Sequence, residues 1–96
     1  MLLTEVKDYL KITWDDEDQS LTRIIEGAKS YLNNLVGVEL DFTQEDDPKS
    51  LLLDRCRYVY NNASEYFEEN FQREILRLQL RIGIETMPVE VIDGEV

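Results

Sequence analysis

Apolar residues recur at intervals of three and four along most of the chain, a spacing that places them on one face of an α-helix. The longest stripe predicts a helix from about Asp18 to Val36. Its members are Leu21, Ile24, Ile25, Ala28, Leu32, Leu35 and Val36. Gly37 follows the stripe and supplies a stop, because glycine adopts the left-handed conformation that closes many helices. The acidic positions 15–18 favour the helix start and are expected to cap it.

Two more segments before residue 71 carry the same periodicity. A short first helix is predicted from Glu5 to about Lys11, with Thr4 as its N-cap. A long third helix is predicted from about Pro48 to Asn70, with Asp47 as its N-cap. Its apolar stripe is Leu52, Cys56, Val59, Ala63 and Phe67. The asparagines at positions 61 and 62 are poor helix formers, but they alone do not force a break.

The last predicted helix is apolar on more than one side. It ends at Gly83, and its main stripe is Phe71, Ile75, Leu78 and Ile82. Leu76 and Leu80 lie off that stripe. Because such a helix usually contacts more than one neighbour, and the domain is small, the second neighbour is expected to be another chain. Leu76 and Leu80 are therefore candidates for a subunit interface.

The helical period stops at Ile84, and residues 84–96 are predicted to form an extended arm. Pro88 excludes a helix interior, and the residues around Glu90 alternate as in a strand. A lone strand is not stable, so we expect the arm to be mobile in the monomer and ordered on a neighbouring subunit or other partner. The candidate docking residues are Met87, Val89, Val91 and Ile92.

Length and composition fit one small all-α domain. The chain has 96 residues, 43% of them hydrophobic, which suffices for a core, and only two prolines and four glycines interrupt it. We predict a bundle of about four helices: a short N-terminal helix, two longer central helices and a C-terminal helix. The helical domain spans residues 1–83, and the arm spans residues 84–96.

The net charge narrows the possible partners. Twenty-one Asp and Glu residues stand against ten Lys and Arg residues, which gives −11. Phosphate backbones require clustered cations and anionic membranes repel acidic surfaces, so neither DNA nor a membrane is expected to be the main partner. No apolar run approaches the length of a membrane span, and the first residues lack the basic region of a signal peptide. Cytoplasmic synthesis is expected, with Cys56 as a buried, reduced thiol.

The residue types argue against catalysis. The chain has no histidine, which excludes Ser–His and Cys–His arrangements, and one cysteine cannot build a structural zinc site. The acidic positions 15–18, with Glu26 further on, suggest a calcium loop, but the glycine that its sixth position requires is Ser20. No catalytic, cofactor-binding or metal-binding residue is predicted, and no cofactor is expected.

Three arginines form a basic strip on the C-terminal helix. Arg73, Arg77 and Arg81 are spaced by four residues and so share one face. One interpretation is a solvated strip that pairs with acidic residues on or beside the same helix. The other is a contact with an acidic surface of a neighbouring subunit, since a row of guanidiniums in an acidic chain favours head-to-tail self-association.

The order of these signals, from the first helix through Gly37 and the helix that begins at Pro48, resembles the head–tail connector (adaptor) family of tailed bacteriophages. Residues 3–12, Leu-Thr-Glu-Val-Lys-Asp-Tyr-Leu-Lys-Ile, form a start of the family's type, and the acidic positions 16–18 follow it. Residues 78–83 are similar to a Gln-Leu-Arg-Gly signature by which some members were grouped as DNA-packaging proteins, with Ile82 between Arg81 and Gly83. The resemblance covers about residues 2–83.

The resemblance implies a structural virion protein at the head–tail junction, assembled in the host cytoplasm. Its subunits would form a ring, typically dodecameric, beneath the portal protein. The ring would extend the DNA channel without binding DNA specifically and would offer a platform to a head-completion (stopper) or tail protein. Two alternatives remain open: an acidic DNA mimic that inhibits a host DNA-binding protein, and a generic helical protein-interaction adaptor.

Overall fold

The structure, a computed structural model, describes residues 2–44 and 46–85. These residues form five α-helices and one 3-10 turn, with no strand among them. The elements are α1 (Leu2–Leu10), α2 (Asp18–Val36), α3 (Asp47–Tyr60), the 3-10 turn (Ser64–Tyr66), α4 (Phe67–Asn70) and α5 (Gln72–Glu85). The predicted all-α fold is confirmed. None of these helices has the length and apolarity that crossing a membrane would require.

The core lies where α2 and α3 pack against each other, with α1 and α5 closing it on either side. Its buried residues are Val6, Ile25, Ala28, Leu32, Phe42, Leu51, Leu52, Cys56, Phe67, Ile75 and Leu78. Burial raises the pKa of the Cys56 thiol to about 11. The group is therefore neutral at physiological pH, and Cys56 serves as a small packing residue.

The predicted bounds of α2 are confirmed at both ends. Gly37 has a φ of 81°, and its N–H donates to the carbonyl of Asn33 at 2.8 Å. Capping by the acidic positions, however, was predicted wrongly, because Glu17 at the N-cap makes no side-chain capping hydrogen bond. The carboxylates of Asp15 and Asp18 instead accept hydrogen bonds from the Lys7 ammonium, which ties α1 to the start of α2.

The prediction of one unbroken helix from Pro48 to Asn70 is wrong. α3 ends at Tyr60, and Asn62 adopts a φ of 59°, in the left-handed region that asparagine tolerates better than most residues. The N–H of Ala63 then donates to the carbonyl of Tyr58 at 2.8 Å and closes the turn. The break redirects the chain into α4, whose first residue is fully buried in the core.

Three aromatic rings surround Phe67, the first residue of α4. The ring of Phe67 stacks on Phe71 at a centroid distance of 4.9 Å and meets Tyr31 and Tyr58 edge-on at 5.9 and 5.7 Å. The Tyr31 hydroxyl donates to the Glu68 carboxylate. Burial, reinforced by this hydrogen bond, raises the pKa of Tyr31 to about 12.

Three helix ends differ from their predicted positions. α1 begins at Leu2, so Thr4 lies inside the helix and is not its N-cap. The N-cap of α3 is Asp46 rather than Asp47, and Pro48 is the second helical residue. α5 continues past Gly83 to Glu85.

The division into a helical domain and an arm stays a prediction. The predicted boundary after residue 83 falls inside α5, which includes the first two residues assigned to the arm. The docking candidates Met87, Val89, Val91 and Ile92 lie outside the described residues.

Candidate protein-interaction face

One side of α5 packs into the core and the other faces solvent. Ile75 and Leu78 are buried, and Ile82 is half-buried against the core. On the opposite side, Leu76, Leu80 and Ile84 are 54%, 60% and 69% exposed. These three residues, the apolar row, are spaced by four and follow one line along the helix.

The apolar row is unusual for this molecule. The other large hydrophobic side chains that are exposed within residues 2–44 and 46–85 are all aromatic: Tyr9, Trp14 and Tyr66. Isolated exposed leucines are common on proteins, but an aligned set on one helix exposes a continuous apolar strip. The row thus fulfils the expectation that Leu76 and Leu80 face away from the core.

Arg73, Arg77 and Arg81, the arginine row, run beside the apolar row. Each arginine precedes a member of the apolar row by three residues, a spacing that makes side chains neighbours on a helix. All three arginines are exposed. The outer face of α5 therefore combines aliphatic and guanidinium groups.

The structure separates Arg81 from the other two arginines. Arg81 forms ion pairs with Asp47 at 3.6 Å and with Glu85 at 4.0 Å. For Arg81, therefore, the first of the two interpretations, local pairing with acidic residues, is the one observed. No ion pair is found for Arg73 or Arg77 within the described part of the chain. These two guanidiniums are available to an external carboxylate.

A groove of about 580 Å³ opens between the end of α2 and the α4–α5 segment. Its lining residues are Leu35, Glu68, Glu69, Gln72, Arg73, Ile75, Leu76 and Gln79. The Gln79 amide donates to the carbonyl of Leu35 at 2.8 Å and fixes α5 against α2 beneath the opening. This α2–α5 groove was not predicted, since it arises from residues far apart in the sequence.

The charges on α5 constrain how two copies could meet. If α5 packed against α5 of a second copy about a two-fold axis perpendicular to the helices, the two arginine rows would lie on the same side of the contact and repel. The rest of the chain is strongly acidic, so a different surface of the second copy would attract the row. An acidic surface is therefore a better partner for the arginine row than a second arginine row.

The sequence predictions located most of this face. Leu76, Leu80 and the three arginines lie on it as expected. Ile84 was missed because Gly83 was interpreted as a helix stop, although the continuing four-residue spacing placed Ile84 in line with Leu76 and Leu80. Within residues 2–44 and 46–85, no group of three His, Cys, Asp or Glu side chains is arranged to hold a metal ion.

Comparison with known proteins adds one match. The family model described as phage gp6-like head-tail connector protein matches residues 1–87, which include all the described helices. A search of curated proteins and a search of solved structures each returned no match.

Proposed function

The chain belongs to the phage gp6-like head-tail connector protein family, and from this premise we propose that it is the subunit of a ring beneath the portal. The observation that carries the proposal is the family match over residues 1–87. The ring extends the DNA channel and gives a platform to a head-completion (stopper) or tail protein. The protein is a structural component of the virion, is assembled in the host cytoplasm and catalyses no reaction.

The outer face of α5 supports self-association into a ring. Contact between unlike surfaces leaves each copy with one free surface of each kind, so association continues until the ring closes. An acidic second copy attracts the arginine row, whereas two arginine rows repel. We propose that Arg73, Arg77 and Arg81, with Leu76 and Leu80, contribute to the contacts between neighbouring subunits of a dodecameric ring.

Charge reversal at Arg77 tests this contact. We expect Arg77→Glu to weaken ring formation by roughly tenfold, because an attractive contact with an acidic neighbour becomes repulsive. Arg23→Glu is a matched control, since Arg23 is also exposed, on α2, and forms no ion pair within the described residues. Analytical ultracentrifugation with purified portal rings measures the effect. If the Arg77→Glu variant still formed full rings at normal affinity, the arginine row would be only a solvated surface and not a subunit contact.

The net charge of −11 suits a channel through which DNA must move. We expect the isolated chain to show no measurable binding of duplex DNA at physiological salt in a gel-shift assay, because its carboxylates outnumber its cations by two to one. An acidic wall would let the DNA slide without adhering. Tight, salt-dependent retardation of the duplex would contradict this prediction and the proposed role of the wall.

The arm is proposed to dock on the portal or on a neighbouring subunit through Met87, Val89, Val91 and Ile92, by adding a strand to an exposed sheet edge. Deletion of residues 86–96 should leave the thermal unfolding transition nearly unchanged, because the helices between Leu2 and Glu85 already share one buried core. The same deletion should impair attachment to portal-bearing heads. A truncated chain that unfolds, or one that attaches normally, would refute the proposal.

A further inference from the structure

The segment that joins α2 to the first turn of α3 carries only negative charge. Residues 38–48 contain five Asp and Glu residues and no Lys or Arg. Up to residue 44 the segment is anchored to the core: Phe42 is 6% exposed, and the Leu40 N–H donates to the Asn33 side chain at 2.8 Å. The carboxylates on this part of the segment therefore stand at defined positions on the surface.

This segment and the end of α5 border a pocket of about 400 Å³. The carboxylates that line it are those of Glu39, Asp41, Asp46 and Glu85, and half-buried apolar surface comes from Val38, Leu40 and Ile82. Arg81 also lines the pocket, but its guanidinium is already paired with Asp47 and Glu85. This acidic pocket thus combines a surplus of negative charge with apolar side chains.

Three carboxylates of the acidic pocket have no ion-pair partner in the part of the chain that the structure describes: Glu39, Asp41 and Asp46. One oxygen of Asp41 accepts hydrogen bonds from the Thr43 hydroxyl and N–H at 2.5 and 2.9 Å, which lower the pKa of Asp41 and keep it ionised. Lys29 borders the same segment but pairs within α2, with Glu26 at 3.5 Å. The pocket is therefore suited to a cation supplied by another molecule.

The chain itself carries matching cations on the outer face of α5. Among its ten Lys and Arg residues, those that are exposed and form no ion pair within residues 2–44 and 46–85 are Lys11, Arg23, Arg73 and Arg77. Of these four, Arg73 and Arg77 are neighbours, one helical turn apart, and both lie beside the exposed leucines of the apolar row. This face therefore offers guanidinium and apolar groups to the same partner.

Arg77 is the better placed of the two arginines. Arg73 shares the α2–α5 groove with two glutamates of α4, which lower the positive potential around it. Three carboxylates border a small pocket with Arg77, but those of Asp47 and Asp54 already bind other arginines. The third, that of Glu74, forms no ion pair with Arg77. The charge of Arg77 is therefore balanced incompletely by its own chain.

We propose that the outer face of α5 of one copy, with Arg77 and Leu80, docks on the acidic pocket of the next copy, against Glu39 and Asp46. Within one copy Arg77 borders a pocket beside α3 and not the acidic pocket, so both surfaces remain available to neighbours. Every copy carries one surface of each kind, so the contact propagates from subunit to subunit. This inference rests on the proposed ring and names the surface that its arginine row meets.

Exchange of the two charges tests the contact in the full chain. Glu39→Arg should weaken ring formation on purified portal rings by about tenfold, as Arg77→Glu should, because two like charges then meet. The double variant Glu39→Arg/Arg77→Glu restores opposite charges, so it should assemble at least as well as either single variant. Independent effects would instead multiply to a loss of about a hundredfold. Sedimentation measures the affinities, and circular dichroism should show unchanged helix content, since both side chains are exposed.

Glu65→Arg is the matched control, because it changes the net charge by the same amount as Glu39→Arg. Glu65 is also exposed and unpaired within the described residues, but it lies on the 3-10 turn, away from both surfaces. This variant should assemble like the unmodified chain. The double variant Glu65→Arg/Arg77→Glu should be as weak as Arg77→Glu alone.

The outcomes separate this contact from the ring. If Glu39→Arg and Asp46→Arg both form rings as well as Glu65→Arg does, the acidic pocket is not the partner of α5, and the ring itself stands. Losses that multiply in the double variant Glu39→Arg/Arg77→Glu would overturn the contact in the same way. A chain that stays monomeric at every concentration and on portals would overturn both proposals.

Discussion

Replacing Phe67 by alanine should lower the free energy of unfolding by about 3–5 kcal/mol. Phe67 is fully buried and contacts the rings of Tyr31, Tyr58 and Phe71, so its removal leaves a cavity at the junction of α2, α3 and α4. A domain of this length has a total stability of about 5–14 kcal/mol. The variant should therefore lose a large part of its stability, as urea denaturation followed by circular dichroism would show.

The neighbouring residue provides the control. Tyr66 precedes Phe67 directly but is 54% exposed, so Tyr66→Ala should change the unfolding free energy by no more than about 0.5 kcal/mol. A loss below about 1 kcal/mol for Phe67→Ala would mean that α4 is not anchored by this ring. It would also place the break after α3 in doubt, because the break is what turns the chain so that Phe67 enters the core.

Replacing Leu80 by glutamate should abolish assembly while leaving the fold intact. Leu80 is 60% exposed in the middle of the apolar row, so a glutamate there remains solvated in the monomer. In the ring the same carboxylate would lie close to an acidic neighbour and would compete with it for Arg77, three positions away. We expect the affinity between subunits to fall by on the order of a hundredfold, measured by sedimentation.

Leu78 and Leu80 form a matched pair on α5. Leu78 is 2% exposed, so Leu78→Ala should cost about 2–5 kcal/mol of stability, whereas Leu80→Ala should cost almost none. Comparing the two substitutions thus distinguishes the inner side of the helix, which stabilises the fold, from its outer side. A Leu80→Glu chain that assembles normally would show that the apolar row faces solvent in the ring.

The fold could be predicted wherever a local signal was sufficient. α2 was bounded correctly because its apolar stripe is long and Gly37 ends it. The break after Tyr60 could not be predicted, because asparagine is compatible with both a helix interior and a left-handed turn. The burial of Phe67 among rings from α2 and α3 and the ring of Phe71 decides between them, and local sequence does not contain that packing.

The interaction face likewise has a part that could be predicted from the sequence and a part that could not. The apolar and arginine rows follow from residue spacing on one helix, and most of their members could be predicted. The α2–α5 groove depends on the hydrogen bond between Gln79 and Leu35, which are 44 positions apart, and the pairing of Arg81 with Asp47 likewise joins two helices. Such contacts decide which arginines stay free, and they become visible only in the folded chain.

Electron cryo-microscopy of the full chain assembled on purified portal rings would show whether α5 joins neighbouring subunits in a connector ring. We expect a closed, dodecameric ring, coaxial with the portal, in which Leu76, Leu80 and Arg77 of each copy are buried against the next copy. Portal rings that carry only scattered monomers, or a closed ring in which the outer face of α5 is exposed to solvent, would contradict this assignment.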